Sequence, residues 1–209
     1  SIRNLEVNTF LINTLNANNY TVEFCDENND GKETINLSIF NPNLTANSTD
    51  NNFSYYTSLE AAESQTSNNR INNPNNYSLP TGSYTVFVRI DSPNGCHQVV
   101  ELGLNLYSKP IIPIDNIMPI CEGSSINLNA GNGYDNYLWS TGETSLTITI
   151  QNPGNYSVTV TNNYDSISCS SNKDFIVKTV DESVDDIYRR VFNDAKSNLG
   201  KVVLYINTS

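Results

Sequence analysis

Apolar and polar residues alternate along much of the chain. Tyr84, Val86, Val88 and Ile90 fall on one face of an extended segment, as do Leu146, Ile148 and Ile150, and then Tyr156, Val158 and Val160. A period of two over four to seven residues marks half-buried antiparallel strands. Turn signals punctuate these runs at short intervals: Pro80-Thr-Gly82, Pro93-Asn-Gly95, Gly131-Asn-Gly133, Thr141-Gly142 and Pro153-Gly154. Many short strands with such punctuation predict an all-β fold in which two sheets pack face to face. Helical spacing occurs in two places. Thr57-Ser-Leu-Glu60 has capping-box spacing ahead of Ala61-Ala62-Glu63 and predicts one short helix in a crossover between sheets. Ser183 to Lys196 places Val184, Ile187, Val191 and Ala195 on one helical face behind an N-cap serine; Gly200 ends that helix, and 201–206 reads as a strand.

The pattern occurs twice. Cys25, Ile35-Asn36-Leu37, Gly82-Ser-Tyr84-Thr-Val86-Phe-Val88 and Cys96 are matched in order by Cys121, Ile126-Asn127-Leu128, Gly154-Asn-Tyr156-Ser-Val158-Thr-Val160 and Cys169. Ordered self-similarity of this kind signals tandem copies of one structural unit. The 209 residues fit two small domains. The expected division is a leading segment over 1–12, a first domain over 13–107, a linker over 108–119, a second domain over 120–180, and a helix–strand tail over 181–209 whose role is open. Three prolines in Lys109 to Pro119 favour an extended, semi-rigid linker and domains standing end to end.

Cysteine placement bears on the compartment. Each unit carries one cysteine near its start and one near its end, so of the three pairings that four cysteines allow, Cys25 with Cys96 and Cys121 with Cys169 is the expected one. Structural disulfides imply an oxidising, extracellular setting. Zinc is disfavoured, since there is no Cys-x-x-Cys and the only histidine is His97, which reads as a strand-end residue.

Charge narrows the partners. With 22 Asp plus Glu against 11 Lys plus Arg, the net charge of −11 argues against nucleic acid, and no basic amphipathic stretch suggests a membrane surface. No apolar run approaches the ~20 residues of a membrane-spanning helix. The absence of a signal peptide at Ser1 suggests a mature chain or an excised fragment. Asparagine excess, as in Asn72-Asn-Pro-Asn-Asn76, favours turns over helices.

One loop has the composition of a cation site. The Cys-to-Ile interval is ten residues in the first unit and five in the second, and the extra length is Asp26-Glu-Asn28-Asn-Asp30-Gly31. Oxygen donors at positions 1, 3 and 5 with glycine at 6 copy the first half of an EF-hand loop. Position 12 is Leu37 instead of glutamate, with Glu33 the available substitute, so the candidate set for a structural calcium ion is Asp26, Asn28, Asp30 and Glu33. The competing reading is an Asx-rich turn without metal. Twelve tyrosines and Trp139 could stack on sugar rings; Trp139, Tyr84 and Tyr156 read as core or corner residues, which leaves Tyr134, Tyr137, Tyr55 and Tyr56 as surface candidates. Asp165-Ser-Ile167 fits a short bacterial O-glycosylation pattern.

The second unit narrows the sandwich type. Pro153-Gly-Asn-Tyr156 ahead of alternating valines is similar to the tyrosine corner of immunoglobulin-like folds, with Trp139 upstream where a core tryptophan sits. Cys169 lies 13 residues beyond Tyr156, so its bridge is expected to tie first strand to last. Cys121-Glu-Gly-Ser-Ser-Ile-Asn-Leu, Gly133-Tyr-Asp-Asn-Tyr-Leu-Trp-Ser-Thr-Gly-Glu-Thr144 and Pro153 to Val160 together resemble the immunoglobulin/PKD-like repeats of large bacterial surface adhesins exported by type IX secretion, some of them associated with gliding motility. The first unit, with Cys25 to Gly31 and Tyr55-Tyr-Thr-Ser-Leu-Glu-Ala-Ala62, is similar to the longer repeat that often precedes them. The resemblance spans roughly 13–180, and nothing after Val180 resembles the sorting domain of such proteins. It implies a secreted, cell-surface stalk or adhesion repeat whose partners are neighbouring repeats of the same chain and an extracellular glycan or protein.

Catalysis finds no motif. There is no Gly-x-Ser-x-Gly elbow and no phosphate loop, and Glu60, Glu63 and Glu143 lack an evident cleft. The reading is therefore a non-catalytic adhesin module of two tandem immunoglobulin-like β-sandwiches with a short C-terminal helix–strand segment. The alternative is a carbohydrate-binding or accessory module of a secreted enzyme.

Overall fold

The computed structural model describes residues 15–46 and 48–180, and the expectations for 1–12 and 181–209 lie outside them. Two compact units emerge: Ser1–Pro110 with Thr161–Ser170, and Ile111–Val160 with Ser171–Ser209.

In the first unit the strands are β1 (Tyr20–Asp26), β2 (Lys32–Ile35), β3 (Asn52–Tyr56), β4 (Tyr77–Pro80), β5 (Gly82–Asp91) and β6 (His97–Ser108). One sheet has the order β1-β6-β5-β3, the other pairs β2 with β4. Alternation explains the core. Val86, Val88 and Ile90 of β5 and Val100, Leu102, Leu104 and Leu106 of β6 point inward, where Ile35 and Leu79 of the second sheet meet them. The β5–β6 hairpin pairs over ten positions, Gly82↔Leu106 to Asp91↔His97. His97 is the exposed first residue of β6, the strand-end position that its sequence context indicates. β1 runs parallel to β6, from Tyr20↔Leu102 to Asp26↔Ser108. Gly103 permits this approach, because a Cβ there would stand 2.7 Å from Oγ1 of its register partner Thr21.

Two short helices connect these strands, one more than the sequence predicts. A 3-10 turn over Leu37–Phe40, capped by Asn36 accepting from the Ser38 N–H, runs into α1 (Asn41–Leu44), which carries Pro42 in its first turn and buries Leu44. The predicted helix forms as α2 (Leu59–Ser64), with Ser58 rather than Thr57 as N-cap, its hydroxyl accepting from the Ala61 N–H at 3.3 Å. Its C-terminal carbonyls are held by the buried Arg89, which donates to Ala62 O at 3.3 Å and Glu63 O at 2.9 Å and pairs with Asp91 at 3.0 Å. A cation at a helix C-terminus also complements the helix dipole.

The second unit repeats this plan with β7 (Ile117–Ile120), β8 (Ile126–Asn129), β9 (Asn136–Trp139), β10 (Thr147–Ile150), β11 (Gly154–Asn163) and β12 (Ser168–Thr179). Its sheets are β7-β12-β11-β9 and β8-β10, so adding six to each strand number converts the first unit's topology into the second's. β7 is again parallel to the last strand, from Ile117↔Ile176 to Ile120↔Thr179. The shared order, with first strand beside last and a two-stranded sheet facing a four-stranded one, is that of an immunoglobulin-like sandwich. Trp139 is buried in the core, donates Nε1–H to Ser145 O at 2.8 Å and meets Phe175 edge-on. The Tyr156 hydroxyl donates to Asn152 O at 2.9 Å, four residues upstream, which completes a tyrosine corner.

The segment 108–119 differs from its expectation as a linker. Ile114 is buried in the second core and 117–120 form β7. Pro119 is tolerated there because β7 is an edge strand.

The disulfide pairing is also corrected. The bond is Cys25–Cys169, with Cα atoms 5.6 Å apart, while Cys96 and Cys121 are free and exposed. The parallel register is the reason. Cys25 stands opposite Tyr107 at the far end of β6, whereas Cys96 immediately precedes that strand, about 35 Å away at ~3.3 Å per residue. Cys121 follows β7 level with the end of β12, and Cys169 is at its start, again about 35 Å distant. A bridge tolerates a Cα separation of only ~4.4–6.8 Å, so neither intra-repeat bond can form.

Candidate functional site

The residues with the richest local chemistry surround Cys25, at the end of β1 and within the first unit. Asp26 is completely buried there. Its Oδ1 accepts the Asp30 N–H at 3.2 Å and its Oδ2 the Gly31 N–H at 2.8 Å, which folds the extra loop back on itself. Gly31 adopts φ +84°, a left-handed conformation suited to glycine. Asp30 Oδ1 accepts the Lys32 N–H at 3.1 Å and Glu33 Oε1 the Glu27 N–H at 2.8 Å. Asn29 ties the loop to β6's exit through the Lys109 N–H at 2.8 Å and Lys109 O at 3.2 Å, and Lys109 pairs with Glu27. Thus Asp26, Asp30 and Glu33 each hold backbone N–H groups in an Asx-rich turn. Asn28 is exposed, and no group of three or more His, Cys, Asp or Glu among the described residues is placed to hold a metal.

Asp26→Ala is expected to destabilise the protein by about 1–2 kcal/mol, because the loop N–H groups of Asp30 and Gly31 lose their carboxylate acceptor. Denaturant midpoints measure this. A loss under about 0.5 kcal/mol, as at a plain surface position, would overturn the assignment.

The other side of the same place is the β11–β12 connection, whose residues Thr161–Ser170 belong to the first unit. Three contacts hold it. Cys169 is bonded to Cys25. Tyr164 stacks on Tyr107, with ring centroids 3.6 Å apart and planes 5° from parallel. Ser166 donates its hydroxyl and its backbone N–H to Glu23 Oε2 at 2.6 and 2.7 Å, while Tyr107 donates to Glu23 Oε1 at 2.9 Å. The register explains the convergence: Glu23 and Cys25 lie on the same face of β1, and Tyr107 is the β6 partner of Cys25. The glycosylation-pattern serine, Ser166, is therefore engaged as a donor.

The Ser166 hydroxyl and N–H, followed by Tyr107, hold the Glu23 carboxyl below the usual carboxylate value of 4.5, while its hydrogen bond to Glu23 pushes the Tyr107 hydroxyl up. A depressed carboxylate contributes stability that is present above its unfolded value and lost as pH falls through the lower folded one. Glu23→Gln is expected to flatten the acid limb of the melting profile below pH 4.5. An acid limb identical to the parent's would show that Glu23 carries none of it.

The tyrosine candidates need correction. Tyr55 and Tyr56 are buried, not exposed. Tyr55 faces the sandwich core and donates to Asn41 Oδ1 at 2.6 Å; burial pushes its hydroxyl up to about 12. Tyr56, on the opposite face of β3, is covered by Ala61 and Ala62 of α2. Sequence alternation does not reveal that both faces of β3 are covered, because α2 supplies the second cover. Tyr134 and Tyr137 are half-buried in the second unit, and their hydroxyls hold backbone groups: Tyr134 donates to Ile111 O at 2.7 Å, Tyr137 to Gly131 O at 3.0 Å. A groove of about 500 Å³ that the sequence did not indicate lies elsewhere in this unit, lined by Tyr156, Phe175, Asn116, Ser140, Asn155 and Asp174 among others.

Residues 19–110 match a family described as the Flavobacterium inter-domain disulphide bond domain. No curated protein matches the chain. Among solved structures, the insect immune protein hemolin is 12% identical with a TM-score of 0.35, the match covering 80% of this chain and 46% of hemolin. A SusE-like, surface-located polysaccharide-binding protein of Bacteroides thetaiotaomicron is 12% identical with a TM-score of 0.30, covering 78% of this chain and 33% of that one. The chain thus spans less than half the length of either.

Proposed function

We propose that the chain is a non-catalytic, extracellular spacer module of a bacterial surface adhesin. The observation that carries this reading is the Cys25–Cys169 bond, which closes 144 residues of sequence into one covalent loop. A disulfide of that span belongs in an oxidising compartment. It also suits a part that bears load, since tension entering through β1 passes across the bond to β12. In both units the first and last strands are parallel neighbours, so opposite pulls on them load their hydrogen bonds in shear, all together rather than one by one. The adhesin resemblance of Cys121 to Val160 points the same way.

The test replaces 20–180, in the surface protein that carries them, by an unrelated stapled sandwich pair of equal length. Adhesion of the cells is expected to persist. Its loss would transfer the binding function to these residues. A carbohydrate-binding reading is favoured by the groove at Tyr156, where an aromatic ring lies beside amide, hydroxyl and carboxylate groups of Asn155, Ser140 and Asp174. Binding on a glycan array that is lost in Asn155→Ala and Asp174→Ala would establish it.

Calcium at Asp26, Asn28, Asp30 and Glu33 is a separate proposal, resting on the oxygen donors gathered in that loop's sequence. Its test is the melting temperature with calcium and with chelator. A rise in calcium supports it, and an unchanged value leaves the loop closed by its own hydrogen bonds.

A further inference from the structure

Two of the four cysteines have no partner, and the repeat shows what they match. Cys25 and Cys121 occupy one position, the end of a repeat's first strand: Cys25 is opposite Tyr107 on β6, and Cys121 follows Ile120, whose O accepts the Val180 N–H at 2.9 Å. Cys96 and Cys169 occupy the other, the start of a repeat's last strand, the one just before His97 and the other just after Ser168. The bond that forms takes one cysteine of each kind, and takes them from different repeats: the first-strand cysteine of the earlier with the last-strand cysteine of the later. What remains is one cysteine of each kind, both exposed, whereas Cys169 is buried and Cys25 half-buried. The parallel register forbids either from closing within its own repeat.

We propose that Cys96 and Cys121 are the open halves of two further disulfides of the same staggered design, each closed by a cysteine of another repeat of this kind. The rule joins Cys121 to the last-strand cysteine of a following repeat and Cys96 to the first-strand cysteine of a preceding one. Successive modules are then bonded one to the next, so that no single module can be drawn out without breaking a covalent link. This deepens the spacer reading and rests on it. The chemistry is thiol–disulfide exchange with an oxidant disulfide: two thiols lose two protons and two electrons to form the new S–S bond, and the oxidant's S–S bond is reduced to two thiols. The contacts beside Cys25 are not repeated at Cys121. Pro119 and Val180 stand where Glu23 and Tyr107 stand, so the outward link is expected to rest on cysteine placement rather than on a tyrosine stack.

The experiment maps thiols in two preparations, each quenched with iodoacetamide and digested without reduction. In the isolated chain, refolded in a glutathione buffer, the label is expected at Cys96 and Cys121 and at neither Cys25 nor Cys169. In the natural full-length protein taken from its host, the label is expected to disappear from both. Each should then be joined to a peptide from outside 20–180 or from a second copy. A label persisting on either cysteine in the natural protein overturns that half of the proposal. A bond between Cys96 and Cys121 of one chain, shown by isotope mixing, overturns both. Label on Cys25 or Cys169 of the isolated chain removes the template itself. The adhesion test of the spacer reading is independent, since domain exchange reads cell binding and not thiol state.

Discussion

Stretched from its two ends, the oxidised chain is expected to release about 500 Å less contour length on complete unfolding than the reduced chain. The difference follows from the 144-residue separation of Cys25 and Cys169 at ~3.3–3.6 Å per extended residue. With the bond intact, force travels from β1 through the two sulfurs into β12, and residues 26–168 lie inside the closed loop. Only β1 up to Cys25 and β12 beyond Cys169 can peel. With the bond reduced, force reaches the parallel pair β1–β6, which is registered over seven positions, and the pair β7–β12, registered over four. The longer ladder should yield at the higher force. Single-molecule force spectroscopy with and without reductant reads both quantities. Equal contour lengths in the two conditions would sink the load-path argument.

Equilibrium stability should respond as strongly. Closing a loop of this size removes unfolded-state entropy equivalent to about 5 kcal/mol in the chain-entropy model, with native strain lowering the yield. Against a typical total of ~5–15 kcal/mol, that is a third or more of the whole. Cys25→Ser, Cys169→Ser and the double variant are each expected to lose nearly the same amount, because each breaks the same bond. Cys96→Ser and Cys121→Ser in the isolated chain should change stability by less than about 0.5 kcal/mol, as exposed positions do. Urea midpoints distinguish the cases. If Cys96→Ser costs as much as Cys25→Ser, the pairing within the first repeat is restored and the parallel-register argument fails.

Local pattern carries information where a residue's role depends on its near neighbours in the chain. Trp139 and Tyr156 were placed correctly because their roles depend on short-range context, a core strand for one and a turn four residues upstream for the other. The helix over Leu59–Ser64 was legible from its cap and alanines, one residue off in its N-cap. Tyr55 and Tyr56 were misplaced because strand alternation assumes one wet face, and α2 covers that face with Ala61 and Ala62. The groove at Tyr156 and Phe175 had no signal of its own, since its walls come from segments as far apart as Asn116 and Asp174. The contact of Glu23 with Ser166, 143 residues away, was equally silent.

By itself the sequence determined that this protein is all-β, that one unit occurs twice in it, and where three of its strands, β5, β10 and β11, and the turns beside them lie. Those properties arise from side-chain periodicity and turn chemistry, which act over a few neighbouring residues. Only the tertiary structure decided which cysteines meet. That outcome depends on whether the first strand lies parallel or antiparallel to the last, a choice that moves Cys25 about 35 Å along β6 without changing a single local preference. The same choice sets the direction in which load crosses the sheet.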